Sequence, residues 1–289
     1  MKTVSSCDLT PYNSYRIPAQ CETAYFPDTI EDVLTLATQT LRDRPYVLLG
    51  SGHNVILART QYRTPFVIFN GHMDWIRVRN TQIETGAGAF TKNLCEVAAA
   101  HHLSGLEVFY DIPSSMGGAV VMNAGGHGEE MAERIARITY LDVPAAAIRE
   151  CDAAGAEMTY RNSRFQNQST CIVLAVELTL TPGDPAAIRE KMERIKAERW
   201  AKQPREFPNA GSVFKRPDGR FVGPMIDELK LKGLQVAGFR VSPKHGGFIE
   251  RTGPGTGRDL LTLIQTIQER VYNAYAIELE IEQRVIDVA

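Results

Sequence analysis

The chain has 289 residues, 44% hydrophobic and 23% charged, as expected of an ordinary soluble globular protein with room for two or three compact domains. Its 32 basic and 34 acidic residues give a formal net charge of −2, so no charge excess points to nucleic acid or a membrane surface. No stretch approaches the ~20 apolar residues of a membrane span, and MKTVSSCDLTPYNSY at the N-terminus lacks the apolar core of a signal peptide; both absences predict a cytoplasmic protein. The five cysteines (Cys7, Cys21, Cys95, Cys151, Cys171) form no CxxC pair, and His101 and His102 are adjacent rather than spaced as ligands. No metal is expected.

In chain order, Asp28 is a candidate N-cap for a helix carrying Ile30, Val33, Leu34 and Ala37 at helical spacing. Tyr46 to Leu49 reads as a buried strand running into Gly50-Ser51-Gly52, with strand character resuming at Val55 to Leu57. Pro65 to Asn70, Trp75 to Val78 and Gln82 to Gly88 are short strands, and Phe90 to His101 is an amphipathic helix. Ala136 to Val143 and Cys171 to Leu180 follow as strands, flanking a polar stretch that contains Tyr160-Arg161-Asn162-Ser163. The charged segment Ala186 to Ala201 predicts a solvated connecting helix, and Gln203 to Pro217 a loop. Val222 to Leu229 and Asp259 to Tyr272 are helices, the second with Leu260, Leu263, Ile264, Ile267 and Val271 on one face. Ile277 to Ile286 alternates as a terminal strand.

The most informative stretch is Gly105 to Gly128, where six of 24 residues are glycine and a short apolar run, Ala119 to Met122, lies between glycine-rich turns. Glycine lets backbone N–H groups approach a ligand closely, and successive N–H groups in a turn form an anion-binding concavity. The Leu48 to Asn54 segment, LLGSGHN, has the same character. Two such clusters far apart in sequence predict a large ligand with a phosphate portion. Gly50-Ser51-Gly52 lacks the third glycine of the Rossmann fingerprint and is followed by a strand instead of a helix. The P-loop pattern is also absent.

The glycine clusters resemble those of flavoproteins with a two-part α+β FAD domain. Within that group the chain is similar to the UDP-N-acetylenolpyruvoylglucosamine reductase (MurB) family of peptidoglycan synthesis. The resemblance runs from Asn13-Ser14-Tyr15-Arg16 through Gly50 to Leu57, Gly86-Ala87-Gly88, Gly105-Leu106-Glu107 and Ile112-Pro113. It continues through Gly117-Gly118-Ala119, Asn123-Ala124-Gly125, Gly128, Tyr160 to Ser163, Gly211 to Lys215, Leu231-Lys232-Gly233 and Val241 to Ile249. Order and spacing over the whole chain make it specific. It implies a vanillyl-alcohol-oxidase/PCMH-type FAD-binding domain in two parts, residues 1–70 and 71–183, and a C-terminal α+β substrate-binding domain, 184–289, whose last stretch, 277–289, returns towards the FAD domain.

The resemblance further implies reduction of the enolpyruvyl ether of a UDP-sugar, with FAD and NADPH as cofactors and no nucleic-acid or membrane partner. Arg161 would bind the substrate carboxylate, for which a guanidinium fork is suited. Ser212 would protonate the intermediate, and Glu282 would assist at the carboxylate end. Strand alternation puts Glu280 and Glu282 on one face and does not choose between them; the family motif selects Glu282. Gly50, Ser51, Gly52, His53 and Asn54, with Pro113, Ser114, Ser115, Gly117, Gly118 and Asn123, would hold FAD, and Arg199 and Lys215 the UDP diphosphate. His53 stands where the family usually has serine, Ser114-Ser115 where it has Gly-Thr, and Glu250-Arg251 where it has Val-Asn. The first two changes bear on FAD-phosphate contacts and the third on the substrate side. Three other readings stay open: a paralogue acting on a related enol ether or nucleotide sugar, an FAD-dependent oxidase tethering its flavin through a residue such as His53, and a non-catalytic FAD-binding regulator.

Overall fold

The computed structural model of the chain describes residues 1–42, 44–167 and 170–288. Ala289, the last residue of the expected C-terminal part, lies outside the described residues. The fold consists of two compact units, neither continuous in sequence. One comprises Met1–Val4, Ala24–Ser51 and Phe66–Glu198; the other Ser5–Thr23, Gly52–Pro65 and Arg199 onward.

The first unit is built on an antiparallel sheet of five strands in the order Ala147–Cys151, Ile135–Asp142, Cys171–Thr179, Gln82–Gly86, Ile76–Arg79. The strand Cys171–Thr179 is apolar on both faces because both are covered. Ile172 and Leu174 pack on the helix Ile30–Thr35 and the turn after it, through Val33, Leu36 and Leu41. Val173, Val176 and Leu178 share a core with Leu94 and Ala98 of the helix Thr91–Ala100, and with Ala119 and Val120 of the helix Met116–Val121. The pairing shifts by a residue between Thr139↔Ala175 and Tyr140↔Val173. Such a bulge reverses the period-2 alternation. Leu174 and Val176 therefore serve opposite cores despite standing two residues apart. Parallel strands Val47–Leu49 and Phe66–Ile68 pair beside Ala24 and Tyr25, and Val67 and Phe69 join the Val33 core.

The second unit packs the helix Gly257–Tyr275 on a small antiparallel sheet of Gln235–Val236, Phe239–Val241 and Ile249–Arg251. The stripe read from the sequence is the buried one: Leu260, Leu263, Ile264, Ile267 and Val271 meet Phe239, Val241, Ile249 and the Val222–Glu228 helix residues Met225 and Ile226. Full burial of side chains of this size is worth ~1.5–3 kcal/mol each, so the stripe contributes on the order of 10 kcal/mol to docking this helix. Val55–Leu57 and Arg284–Ile286 form a separate parallel pair.

Several elements differ from their sequence reading. Thr29, not Asp28, caps the first helix, in a capping box with Asp32, while Asp28 lies one residue outside it. The charged helix, Pro185–Lys202, is more than a solvated connector: Ile188, Met192 and Ile195 are buried, and Ile188 and Met192 belong to the first unit's main core. The apolar run after Gly118 lies mostly in a helix, Met116–Val121. Strands Lys2–Asp8, Gln20–Phe26 and Ala147–Cys151 carry too little apolar alternation to be legible. Of the alternating segment Ile277 to Ile286, only Arg284–Ile286 is a strand. Residues before it make one isolated bridge, Phe214↔Ile281, because the segment exchanges one partner, 213–215, for another, 55–57.

The Gly257–Tyr275 helix begins with a capping box. The backbone N–H of Thr256 donates to Asp259 Oδ2 at 2.7 Å, and the Thr256 side chain accepts from Asp259 N–H at 3.4 Å. Thr256→Ala is expected to lower unfolding stability by about 1 kcal/mol, seen as a reduced urea midpoint with an unchanged denaturant slope.

Candidate functional site

In the first unit the two glycine-rich loops are tied together backbone to side chain. Ser51 N–H donates to Ser115 Oγ at 3.3 Å, and Ser115 N–H donates back to Ser51 Oγ at 3.0 Å. Ser115 is buried and caps the short helix that follows, accepting from Gly118 N–H. The approach explains Gly50: a Cβ there would lie 2.3 Å from Ser115 Oγ. Ser114 Oγ donates to the Ser115 carbonyl at 2.8 Å, and Gly117 N–H donates to the Ala87 carbonyl at 2.7 Å. Pro113 is exposed, and Gly117 and Gly118 are half-exposed. Gly86 and Gly88 answer to internal packing, since a Cβ would meet the Met73 and His72 carbonyls at 2.0 and 1.6 Å.

These features fit a phosphate-bearing cofactor. Half-exposed glycines without side chains leave backbone room, and two hydroxyl-bearing serines stand where the resemblance expects other residues. Gly50, Ser51, Ser114, Ser115, Gly117 and Gly118 are thus held on one framework within this unit.

Arg161 lies at a tight turn closed by reciprocal hydrogen bonds between Thr159 and Asn162, both 3.0 Å. It has a positive φ of 53°, a conformation uncommon for a non-glycine residue and associated with functional constraint. Its guanidinium donates to the carbonyls of Gly125 at 2.8 Å and Asn123 at 3.4 Å and lies 5.2 Å from the Tyr160 ring centre. Asn123 is fully buried. Both amide donors are committed, to Glu130 Oε2 at 2.7 Å and the Thr159 carbonyl at 3.0 Å, while its oxygen accepts from Ala132 N–H at 3.0 Å. This side chain, expected along the cofactor, buttresses the turn that carries Arg161.

The second unit holds Gly52, His53, Asn54, Arg199, Ser212, Lys215 and Glu282. Ser212 and Glu282 are brought together by backbone pairing: Glu282 N–H donates to the Val213 carbonyl at 2.8 Å, and Lys215 N–H to the Glu280 carbonyl at 2.9 Å. Ser212 is half-buried, and its hydroxyl has no hydrogen-bond partner among the described residues. The two glutamates now separate. Glu280 is exposed and its carboxylate pairs with Lys215 Nζ at 2.6 Å; Glu282 is half-buried. Asn54 connects the first glycine motif to this segment, its Nδ2 donating to the Glu282 carbonyl at 3.1 Å and its own carbonyl accepting from Arg284 N–H at 2.9 Å. Gly52 has φ 71°, and a Cβ there would lie 2.0 Å from the Tyr12 carbonyl. Arg199 is half-buried in the last turn of its helix. Sequence reasoning missed Gln283, which is buried and donates to the carbonyls around Ser212.

The departure at Glu250-Arg251 has a packing explanation. Glu250 is buried, accepting from Arg240 Nη2 at 2.7 Å and Ser242 Oγ at 2.8 Å, so its charge is paired inside the unit. Arg251 Nη1 donates to the Arg16 carbonyl at 2.6 Å.

His53 Nδ1 is buried without a hydrogen-bond partner. Burial, reinforced by the positive charge of Arg16, lowers the imidazole to about 4, so it is neutral at pH 7. The unfolded chain, with an ordinary histidine near 6.5, binds the proton first. The stability associated with neutral His53 is therefore complete above about pH 6.5 and lost as pH falls towards 4. His53→Ser is expected to lose less stability than wild type between pH 7.5 and 5, measured by urea unfolding at both.

Residues 22–161 match the FAD binding domain family, and residues 203–286 match the family described as UDP-N-acetylenolpyruvoylglucosamine reductase, C-terminal domain. The UDP-N-acetylenolpyruvoylglucosamine reductase of Francisella tularensis subsp. tularensis is 35% identical over 280 residues, covering 96% of this chain and 98% of that protein. The protein of the same name from Lactobacillus helveticus is 37% identical over 279 residues, covering 96% and 93%. The crystal structure of UDP-N-acetylenolpyruvylglucosamine reductase (MurB) from Thermus caldophilus superposes with a TM-score of 0.82 at 28% identity, over 99% of this chain and 98% of that one. With both parts matched and near-complete coverage, this α+β chain belongs to the UDP-N-acetylenolpyruvoylglucosamine reductase family.

Proposed function

We propose that this protein is a cytoplasmic flavoenzyme that reduces the enolpyruvyl ether of UDP-N-acetylglucosamine enolpyruvate to the lactyl ether of UDP-N-acetylmuramate, a step of peptidoglycan synthesis, using NADPH. The carrying observation is the pairing of the Ser212 and Glu282 segments, which supports one site built from a half-buried hydroxyl and a half-buried carboxylate. Gly50, Ser51, Gly52, His53, Asn54, Pro113, Ser114, Ser115, Gly117 and Gly118 would hold FAD, mainly through backbone N–H groups, and Asn123 supports that site by ordering the Arg161 turn. When bound, FAD would supply the hydride chemistry, with NADPH as the source and the terminal vinyl carbon as the acceptor.

Hydride addition places negative charge on the carbon beside the carboxylate and, through it, on the carboxylate itself. Arg161 binds the carboxylate and stabilises that charge. Its attachment to two carbonyls and a positive-φ turn supports a preset orientation. Ser212 then gives its hydroxyl proton to that carbon, which completes addition of H⁻ and H⁺ across the double bond. Glu282 polarises the reacting group from the carboxylate end. Arg199 and Lys215 hold the UDP diphosphate; for Lys215 this requires exchange of the Glu280 carboxylate for phosphate, an exchange made inexpensive by the exposure of Glu280.

Anaerobic stopped-flow absorbance on FAD-loaded protein tests this reading. NADPH is expected to bleach the flavin and the enolpyruvyl sugar to restore its colour. Ser212→Ala is expected to bleach normally and recover about 10²–10⁴-fold more slowly, the usual contribution of a positioned acid. Wild-type flavin that stays reduced after addition of the sugar would overturn the substrate assignment.

A further inference from the structure

The turn that carries Ser212 is unusual in what restrains it. Ala210, Gly211 and Ser212 present three successive carbonyls to one side-chain amide: Gln283 Nε2 lies 3.1, 3.4 and 3.3 Å from their oxygens. Gln283 is only 3% exposed, and its Oε1 accepts from the hydroxyl of Tyr15, a fully buried residue, at 3.0 Å. The amide has one sensible orientation. Reversing it would aim an oxygen at three carbonyls, and only the NH₂ side can donate to them. Burial raises the Tyr15 phenol above its ordinary range, so it remains a protonated donor to Oε1.

The turn needs such a restraint. Gly211 has φ 78° and nothing within 4 Å of where a side chain would begin, so no side-chain packing of its own holds it; its N–H donates to Asn209 Oδ1 at 3.2 Å. The Ser212 hydroxyl has no partner among the described residues to fix its rotamer. Its direction therefore follows the backbone, which is pinned downstream by Val213 N–H to the Gly247 carbonyl at 2.9 Å and upstream by Asn209, which accepts the Gly211 N–H, and by Gln283, which holds the carbonyls. Glu282 and Gln283, adjacent in sequence, thus grip the turn at two points, through a backbone N–H and a side-chain amide.

We propose that Gln283, oriented by Tyr15, is a positioning residue that aims the Ser212 hydroxyl at the carbon to be protonated. The proposal rests on the reading of Ser212 as proton donor. Gln283 acts only through the turn. Its loss should spare flavin reduction and substrate affinity while slowing the proton-dependent step, for which a displacement of about 1 Å can cost ~10²-fold.

The test compares wild type, Ser212→Ala, Gln283→Leu and Tyr15→Phe as FAD-loaded proteins in anaerobic half-reactions, run in H₂O and D₂O. For Gln283→Leu we expect unchanged bleaching by NADPH, an unchanged half-saturating concentration of enolpyruvyl sugar, flavin recovery slowed about 10²-fold, and a larger solvent isotope effect on recovery. Tyr15→Phe keeps the ring in place and should slow recovery in the same direction by a smaller factor, so the idea remains testable if Gln283→Leu does not fold. Slow recovery in Ser212→Ala alongside wild-type recovery in Gln283→Leu, or in Tyr15→Phe should the leucine variant not fold, would overturn the positioning role and leave the Ser212 reading intact. Wild-type recovery in Ser212→Ala would overturn the proton-donor reading itself, and the positioning role with it. A loss of sugar affinity equal to the loss of rate would assign Gln283 to general folding of the unit, against the proposal.

Discussion

The backbone of residues 280–286 is shared between two partners, and the candidate chemistry of the second unit depends on that sharing. Its first half pairs with 213–215 and its second half with Val55–Leu57. Neither partner alone would locate Glu282. The first brings it beside Ser212, and the second, through Asn54, ties it to the first glycine motif. Each backbone hydrogen bond contributes only about 1 kcal/mol net. Their importance is geometric, because they remove the freedom of a segment that has little regular structure of its own.

A comparable economy operates in the first unit. The reciprocal Ser51–Ser115 hydrogen bonds hold two loops distant in sequence, and the Asn123 amide commits both its donors, one to the Glu130 carboxylate and one to the Thr159 carbonyl of the turn beside Arg161. In both units a polar side chain is buried, satisfied and placed next to the residue that meets the ligand in our reading. An unsatisfied buried amide would cost about 1–3 kcal/mol. Losing one partner from such a network therefore disturbs more than the bond removed.

Much of this was legible in the sequence, for identifiable reasons. The Gly257–Tyr275 helix shows its core stripe because one amphipathic face meets one core. The glycines of the Gly50–Gly52 turn stood out because only glycine tolerates the Ser115 and Tyr12 approaches. The strand Lys2–Asp8 was hidden because its side chains are mostly exposed and carry no period-2 signal. The charged helix hid its buried Ile188, Met192 and Ile195 among many ionised neighbours. Pattern alone could not separate Glu280 from Glu282, because the difference is a tertiary one: Lys215 reaches the first. Gln283 and Tyr15 carried no signal, since nothing in an alternating strand or in an Asn-Ser-Tyr-Arg segment states that a phenol and an amide will meet 268 residues apart.

That same separation shapes how the chain must come to be folded. Val55–Leu57 is synthesised long before its parallel partner, Arg284–Ile286. At ~5–20 residues per second, the early strand waits for tens of seconds or less with an open hydrogen-bonding edge and the buried side chains of Ile56 and Leu57 still uncovered. An unpaired apolar edge is a template for association between chains. The nascent protein therefore passes through an aggregation-prone interval set by its own topology, and premature termination shortly before Arg284 would make that interval permanent.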